Sequence, residues 1–341
     1  MDVERALKKL EWRNKRFYFQ QMLEQLEGYP DDTFMLEQLR EYVNRVIGDH
    51  RITIGKNAHY HFSVIITGPK QSGKSLMLSI LLEHVLAEFV ATDVYKSNIV
   101  FIFDFPSMHF TDLDDFYQQF ITVLFTQIAI QRPSIAQYKA KLIEFFTGII
   151  PLPKDLDRLL QSDLNDIRTV MKNSTTVESW ITNVFLLPSL LGEAFGFTKV
   201  HVIADSVDLL NTTLSTSRFE DSSPINMIDY FRFGIKDISY ILVCNGEPQT
   251  DDFSYRSEII KFGNIDRQLE PDNTYFRVGD RNVRFEDCIG IPYFIKLFTD
   301  ITKAYSSDDE EKEENVKDRM RAFLKAVYGE DEEIESVKRI L

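Results

Sequence analysis

The segment Val64–Leu86, VIITGPKQSGKSLMLSILLEHVL, joins an apolar run, a glycine-containing turn and a second apolar run without a break. The first run is short and rich in valine and isoleucine, as in a strand that is covered on both faces. In the second run, over Lys74–Ala91, apolar residues recur at helical spacing. The segment therefore predicts a buried strand, a tight turn and a helix.

The turn has a regular spacing of glycine, lysine and serine. Residues 68–75, GPKQSGKS, fit the pattern G-x-x-x-x-G-K-[ST] without a mismatch. Gly68 and Gly73 allow a backbone that points successive N–H groups at phosphate oxygens, and the N-terminus of the helix attracts anions. Lys74 brings a positive charge to the β- and γ-phosphates, and the Ser75 hydroxyl is a ligand for Mg²⁺. The pattern predicts a site for a nucleoside triphosphate with Mg²⁺. The residues predicted to contact the nucleotide here are Gly68, Pro69, Lys70, Gln71, Ser72, Gly73, Lys74, Ser75 and Leu76.

Apolar strand-like runs and helical runs alternate along the chain. The predicted strands are His61–Thr67, Asn98–Phe105, Val200–Ala204 and Tyr240–Cys244. The predicted helices are Lys74–Ala91, Asp112–Gln131, several helices over 134–195, and Pro224–Lys236. This alternation predicts an α/β fold of three layers, with a parallel central sheet and right-handed crossovers.

The chain divides into four predicted parts. They are a helical N-terminal arm (1–50), a nucleotide-binding core (51–250) with a helical insertion at about 134–195, a lid region (251–305), and an acidic linker with a C-terminal helix (306–341). Residues 251–284 are polar, so we expect irregular structure there, with a hairpin around Val278–Arg281.

Composition limits the classes of partner and compartment. The net charge is −14, from 53 acidic and 39 basic residues, whereas non-specific nucleic-acid binding depends on lysine and arginine. We therefore expect protein partners, with any nucleic-acid contact made through a partner, and leave an oligomer open. The sequence contains no run of about 18 apolar residues, so we expect no membrane span, and no signal peptide is recognisable. Cys244 and Cys288 lie in apolar segments and are expected to be buried thiols, which favours an intracellular protein of the cytoplasm or nucleus.

Two aspartates end predicted strands and are candidate Mg²⁺ ligands. Val200–Asp205 is an apolar run that ends in an acid, and we expect it to form the strand next to the first one. Asp205 would then hold Mg²⁺ at the carboxyl end of the sheet, where ligands of open α/β sheets bind. Asp104, near the end of Asn98–Phe105, is the rival, and we expect Asp205 to be the metal ligand.

These elements resemble the AAA+/STAND branch of P-loop ATPases over roughly residues 50–305. Ser206 follows Asp205 where many ATPases have a water-orienting glutamate, and the run ADSVDLL is similar to the D-G-L-D form of STAND proteins. Asp208 takes the second acidic position, where it would either orient water or bond a nearby loop. A more distant likeness is to the ATPase modules of crinkler and retrotransposon-hot-spot proteins.

The resemblance implies two further site residues. Asn245, at the end of the fourth strand, takes the place of the polar residue called sensor 1, between the acids and the γ-phosphate. Gly290-Ile291-Pro292 resembles the G-x-P element of STAND and archaeal-type ATPases, in which Pro292 would begin the lid helix and contact adenine. The catalytic set is therefore Asp205, Asp208 and Asn245. An arginine finger is not fixed, with Arg218, Arg232 and Arg256 as candidates, and neither Lys296 nor Lys303 stands out as sensor 2.

The expected function is that of a slow ATPase that binds ATP and Mg²⁺ and acts as a nucleotide-dependent switch or assembly module. GTP specificity is not expected, because Asn245 is followed by Gly246-Glu247 and not by the N/T-K-x-D pattern. Three alternatives stay open: a DNA-associated ATPase of the origin-recognition or mobile-element type, a P-loop kinase, and a non-hydrolysing nucleotide-binding interaction protein.

Overall fold

The computed structural model describes residues 96–148, 150–219 and 223–245, four strands outside these ranges, and scattered helical positions before residue 96. The scattered positions are 44, 47 and 48, and then 74, 75, 77, 78, 81, 82 and 85. The described residues form an α/β fold with a mostly parallel sheet flanked by helices, as the alternation of strands and helices predicted.

The central sheet contains five of the described strands, and all their pairings are parallel. They are β1 (Ser63–Gly68), β2 (Asn98–Asp104), β3 (Lys199–Asp205), β6 (Ser239–Asn245) and β7 (Glu258–Lys261). Their order across the sheet is β2-β3-β6-β1-β7. The other strands form two antiparallel pairs, β4 (Thr213–Leu214) with β5 (Ile225–Asn226), and β8 (Tyr275–Val278) with β9 (Arg281–Arg284).

Helices lie between the strands, and four of the longer ones begin at residues that cap them. The longer ones are α1 (Leu113–Gln131), α2 (Lys139–Phe146), α3 (Arg158–Lys172), α4 (Val177–Ala194) and α5 (Met227–Ile235). Short 3₁₀ helices span Phe105–Ser107, Pro133–Tyr138 and Val207–Leu210. Asp112, Asp157, Thr176 and Asn226 each accept a backbone N–H of the first turn of the helix that follows. Local capping thus accounts for where α1, α3, α4 and α5 begin.

The structure corrects two expectations and confirms two. β3 was expected next to β1, but β6 lies between them, because β6 pairs with both strands. β7 is a parallel strand within a stretch expected to be irregular. Several helices were predicted over 134–195, and α2, α3 and α4 lie there; Val278 pairs with Arg281 in the predicted hairpin. The lid helix, the acidic linker and most of the N-terminal arm lie outside the described residues.

One face of the sheet is covered by a chain of phenylalanine rings. Phe103 of β2 stacks on Phe120 of α1, with the ring centroids 4.8 Å apart. Phe185 of α4 meets Phe120 at 5.7 Å and Phe231 of α5 at 5.3 Å, both edge to face. Offset and edge-to-face ring pairs add about 0.5–1.5 kcal/mol each beyond their burial. The stack joins the sheet to α1, α4 and α5, which places these three helices on the same face.

The edge strand β2 is closed by two glutamines of α1. Gln127 Oε1 accepts from the Ile102 N–H at 2.7 Å, and Gln127 Nε2 donates to the Ile102 carbonyl at 2.6 Å. Gln131 makes the same pair of bonds to Val100, at 3.2 and 3.0 Å. The two side chains are one helical turn apart. They bond to the backbone N–H and carbonyl groups of Val100 and Ile102 that face away from β3, and they therefore take the place of a neighbouring strand. An edge that is paired in this way does not offer its backbone to another chain.

We predict that Gln127→Leu lowers the free energy of unfolding by about 3 kcal/mol. The buried N–H and carbonyl of Ile102 would lose their partners, at about 1–3 kcal/mol for each unsatisfied group. Denaturant titration of the variant measures the change. Gln118→Leu is the matched control, since Gln118 lies on an exposed position of the same helix. Equal stability of the two variants would contradict the role assigned to Gln127.

Candidate functional site

The candidate site lies where β1, β6 and β3 end. Gly68 is the last residue of β1 and pairs with Asn245, the last residue of β6. Asp205 is the last residue of β3, and β3 borders β6 on its other side. Because parallel strands present their carboxyl ends at one edge, and ligands of open α/β sheets bind outside that edge, these residues share one candidate site.

Gly68 has a backbone conformation that explains the glycine at this position. Its φ is 155°, a value that side-chain-bearing residues rarely adopt. Gly68 is the last residue of β1, and Lys74 and Ser75 are helical. The strand and the helical start that the sequence predicted on either side of the GPKQSGKS segment are therefore present, whereas residues 69–73 and Leu76 lie outside the described residues.

Lys74 is a buried lysine at this edge of the sheet. Its side chain donates from Nζ to the Gly68 carbonyl at 2.9 Å, and only 5% of the residue is exposed. Burial lowers the pKa of Lys74, while the nearby Asp208, Cys244 and Asp205 act in the opposite direction. Since desolvation penalises a buried ammonium, an additional anion beside Nζ would stabilise its charged form.

Asp208 and Asn245 form a clamp between the ends of β3 and β6. Asp208 Oδ1 accepts the backbone N–H of Asn245 at 2.9 Å, and Asp208 Oδ2 accepts from Asn245 Nδ2 at 3.0 Å. Of the two roles considered for Asp208, bonding to a neighbouring segment is the one that these contacts describe. We call this pair the Asp208–Asn245 clamp.

The two candidate metal acids end neighbouring strands. Asp205 is fully buried and accepts from Ser206 Oγ at 3.2 Å, and it pairs in register with Asp104, which is partly buried at the end of β2. With strands about 4.8 Å apart, Asp205 stands about 10 Å from β1 and Asp104 about 14 Å. Asp205 is thus one strand farther from β1 than the sequence predicted, and it is still nearer to β1 than Asp104 is.

Ser206 has a left-handed backbone. Its φ and ψ are 56° and 49°, and it has the only positive φ among the described residues other than glycine. A left-handed conformation costs a residue with a Cβ about 1–2 kcal/mol. This turn redirects the chain from β3 into the 3₁₀ helix Val207–Leu210, which carries Asp208. Ser206 therefore supplies the bend that brings Asp208 to the end of β6.

Cys244 belongs to the surroundings of this site, a position that the sequence did not predict for it. It is a buried free thiol that pairs with Thr67 across β6 and β1. Burial raises its pKa, against the opposing effect of a hydrogen bond with Thr67. Its position directly before Asn245 is the signal in the sequence that could have identified it. Cys288 lies outside the described residues.

Two of the arginine-finger candidates are described, and each contacts an aspartate. Arg218 Nε donates to Asp114 Oδ1, and its guanidinium lies over Tyr117 and Trp180, 5.1 and 4.7 Å from the ring centroids. Asp114 also accepts from Thr216 Oγ1, Ser217 N and Ser217 Oγ. Burial alone would raise the pKa of Asp114, but the hydrogen bonds from Thr216 and Arg218 and the arginine charge outweigh it and lower the pKa. Arg218 thus fastens the segment after β4 to the start of α1.

Arg232, the second described arginine-finger candidate, lies on α5. Arg232 Nη1 donates to Asp229 Oδ1 at 3.3 Å within α5. Its charge opposes the rise that burial causes in the pKa of the Cys244 thiol. Arg256, Pro292, Lys296 and Lys303 lie outside the described residues.

Comparisons with known proteins add no family. No protein-family model matches this sequence, and no curated protein is detectably similar to it. Among the helices that the structure describes, none is both long and apolar enough to cross a membrane.

We predict that Ser206→Gly is more stable to unfolding than Ser206→Ala by about 1 kcal/mol, because only glycine relieves the left-handed strain. Both substitutions remove the hydroxyl that donates to Asp205, so their difference isolates the backbone effect. Thermal and urea unfolding measure it. Equal stability of the two variants would show that the conformation of Ser206 is not strained.

Proposed function

We propose that the chain binds ATP and Mg²⁺ at the carboxyl edge of the sheet and acts as a slow, nucleotide-dependent switch. The observation that carries the proposal is the surroundings of Lys74. A complete G-x-x-x-x-G-K-S segment follows β1 of the central sheet and leads to helical residues, and the charges of Asp205 and Asp208 act on its buried lysine. The AAA+/STAND resemblance over residues 50–305 is part of the same proposal.

The residues at this edge fit the groups that they would hold. Lys74 would bind the β- and γ-phosphates, with the first helical turn behind it favouring negative charge. Mg²⁺ prefers oxygen ligands and is bound through one or two carboxylates together with phosphate oxygens. Ser75 and Asp205 are such a set, and the ion would neutralise charge on the phosphates. In the proposed site Pro292 would contact the adenine.

Slow turnover is proposed from the residues beside Asp205. Ser206 has no acidic group, and both carboxylate oxygens of Asp208 accept hydrogen bonds from Asn245. A positioned base contributes about 10²–10⁴-fold to a rate, so we expect turnover well below the enzyme median of roughly 10 s⁻¹. A long-lived bound triphosphate would then favour one of two conformations, which protein partners could distinguish.

We predict that Lys74→Met abolishes ATP binding and leaves the chain folded. The substitution keeps a long apolar stem in the buried position and removes the ammonium that would meet the phosphates. Isothermal titration with ATP and Mg²⁺ measures the affinity, and circular dichroism checks the fold. Lys141→Met, on an exposed face of α2, is the control and should bind as the wild type does. Unchanged affinity of Lys74→Met would contradict the proposed function.

We predict that Asp205→Asn weakens ATP binding at least tenfold in the presence of Mg²⁺ and changes it little in EDTA. Asp104→Asn should leave both affinities nearly unchanged, because Asp104 stands one strand farther from β1. The same titrations, run with and without the metal, give the four affinities. If Asp104→Asn causes the larger loss with Mg²⁺, the metal acid has been assigned to the wrong strand.

A further inference from the structure

We infer that Asp208 is a positioning residue, which fixes the side chain of Asn245 and thereby allows the chain to distinguish a nucleoside triphosphate from a diphosphate. The inference rests on the proposed function and concerns the same site. It is carried by the Asp208–Asn245 clamp, which joins residues 37 positions apart in the sequence.

The clamp lies between the strand of the phosphate-binding segment and the strand of the metal acid. β6 pairs with β1 on one side and with β3 on the other, and Asn245 pairs with Gly68 at the end of β1. Asp208 follows β3 by three residues and reaches over to Asn245 with both oxygens. The position of the Asn245 amide is therefore determined from two directions, by the register of the sheet and by Asp208.

The contacts of Lys74 place the clamp at the end of the site where a terminal phosphate would bind. In G-x-x-x-x-G-K-[ST] segments the lysine reaches the β- and γ-phosphates. Lys74 donates to the carbonyl of Gly68, the partner of Asn245 in the sheet. Among the charges that act on Lys74, the effect of Asp208 is larger than that of Asp205. Asp208 and Asn245 thus belong to the surroundings of the Lys74 ammonium.

The chemistry of the two side chains explains why orientation matters. An ionised carboxylate only accepts hydrogen bonds, so Asp208 selects the amide group of Asn245 and not its carbonyl. One Nδ2 proton is used in this way. Among the described residues no group pairs with the second Nδ2 proton or with Oδ1, and a ligand at this edge would meet both. Without Asp208 the amide of Asn245 could rotate, and the donor would no longer be held in one place. A phosphate group that depends on this donor would lose it, whereas phosphates bound by the GPKQSGKS segment would not.

The test is a double-mutant cycle on two affinities, those for ATP-Mg²⁺ and for ADP-Mg²⁺, measured by calorimetry on the full chain. We expect Asp208→Ala to reduce the ratio of ATP to ADP affinity about tenfold, the size of one hydrogen bond to a charged group. Asn245→Ala should reduce the ratio equally, and the double variant should show no further reduction, because Asp208 acts through Asn245. Asp166→Ala, on an exposed position of α3, is the control.

Two further measurements keep the outcomes separate. Asp208→Asn retains an acceptor for the backbone N–H, and serves if the alanine variant does not fold. Hydrogen exchange of the Asn245 backbone N–H, measured without nucleotide, should be faster in Asp208→Ala than in the wild type, because Asp208 Oδ1 accepts this N–H, and Asp208→Asn should change it less. A wild-type chain that binds neither nucleotide would overturn the proposed function and this inference together. An unchanged ratio in Asp208→Ala, or an equal reduction when Asp208→Ala is made in the Asn245→Ala background, would overturn this inference alone.

Discussion

The contact of Phe103 with Phe120 is the interaction on which the helical layer depends. The two rings are nearly parallel, 4° apart, and they join the edge of the sheet to α1. Phe185 and Phe231 continue the contact to α4 and α5. A parallel sheet is stable only when both faces are covered, and these rings provide the cover on one face. The same helices hold the ends of β2 and β3 in place, and those ends carry the acids of the candidate site.

The order of the strands determines the geometry of the candidate site. Because β6 lies between β1 and β3, Asn245 is the neighbour of Gly68, and Asp205 stands one strand beyond it. Asp208 spans this gap by returning from the left-handed turn at Ser206 to the end of β6. Strain at Ser206 and the two hydrogen bonds of the Asp208–Asn245 clamp thus belong to one arrangement, in which an unfavourable backbone conformation is compensated by paired polar groups.

The charges of Lys74, Asp205 and Asp208 at this edge of the sheet partly balance one another. Burial disfavours the ammonium of Lys74, and Asp208 and Asp205 offset part of that penalty. A buried polar group is tolerated when it is hydrogen-bonded, and Lys74 Nζ donates to the Gly68 carbonyl. The chain has a net charge of −14, yet it buries Lys74 at the edge where its parallel strands end. The proposals for nucleotide binding and for triphosphate discrimination both start from this cation.

Much of the fold could be predicted from the sequence, because strands, caps and helices follow from residues a few positions apart. The spacing of GPKQSGKS, the four apolar runs from His61 to Cys244 and the caps Asp112 and Thr176 are signals of this kind. The order β2-β3-β6-β1-β7, the strand β7, the Gln127 closure of the sheet edge and the partner of Asp208 were decided by the tertiary structure alone. Each depends on which segments meet across many intervening residues, and a side chain such as Asp208 acquires its partner only after the strands have taken their places.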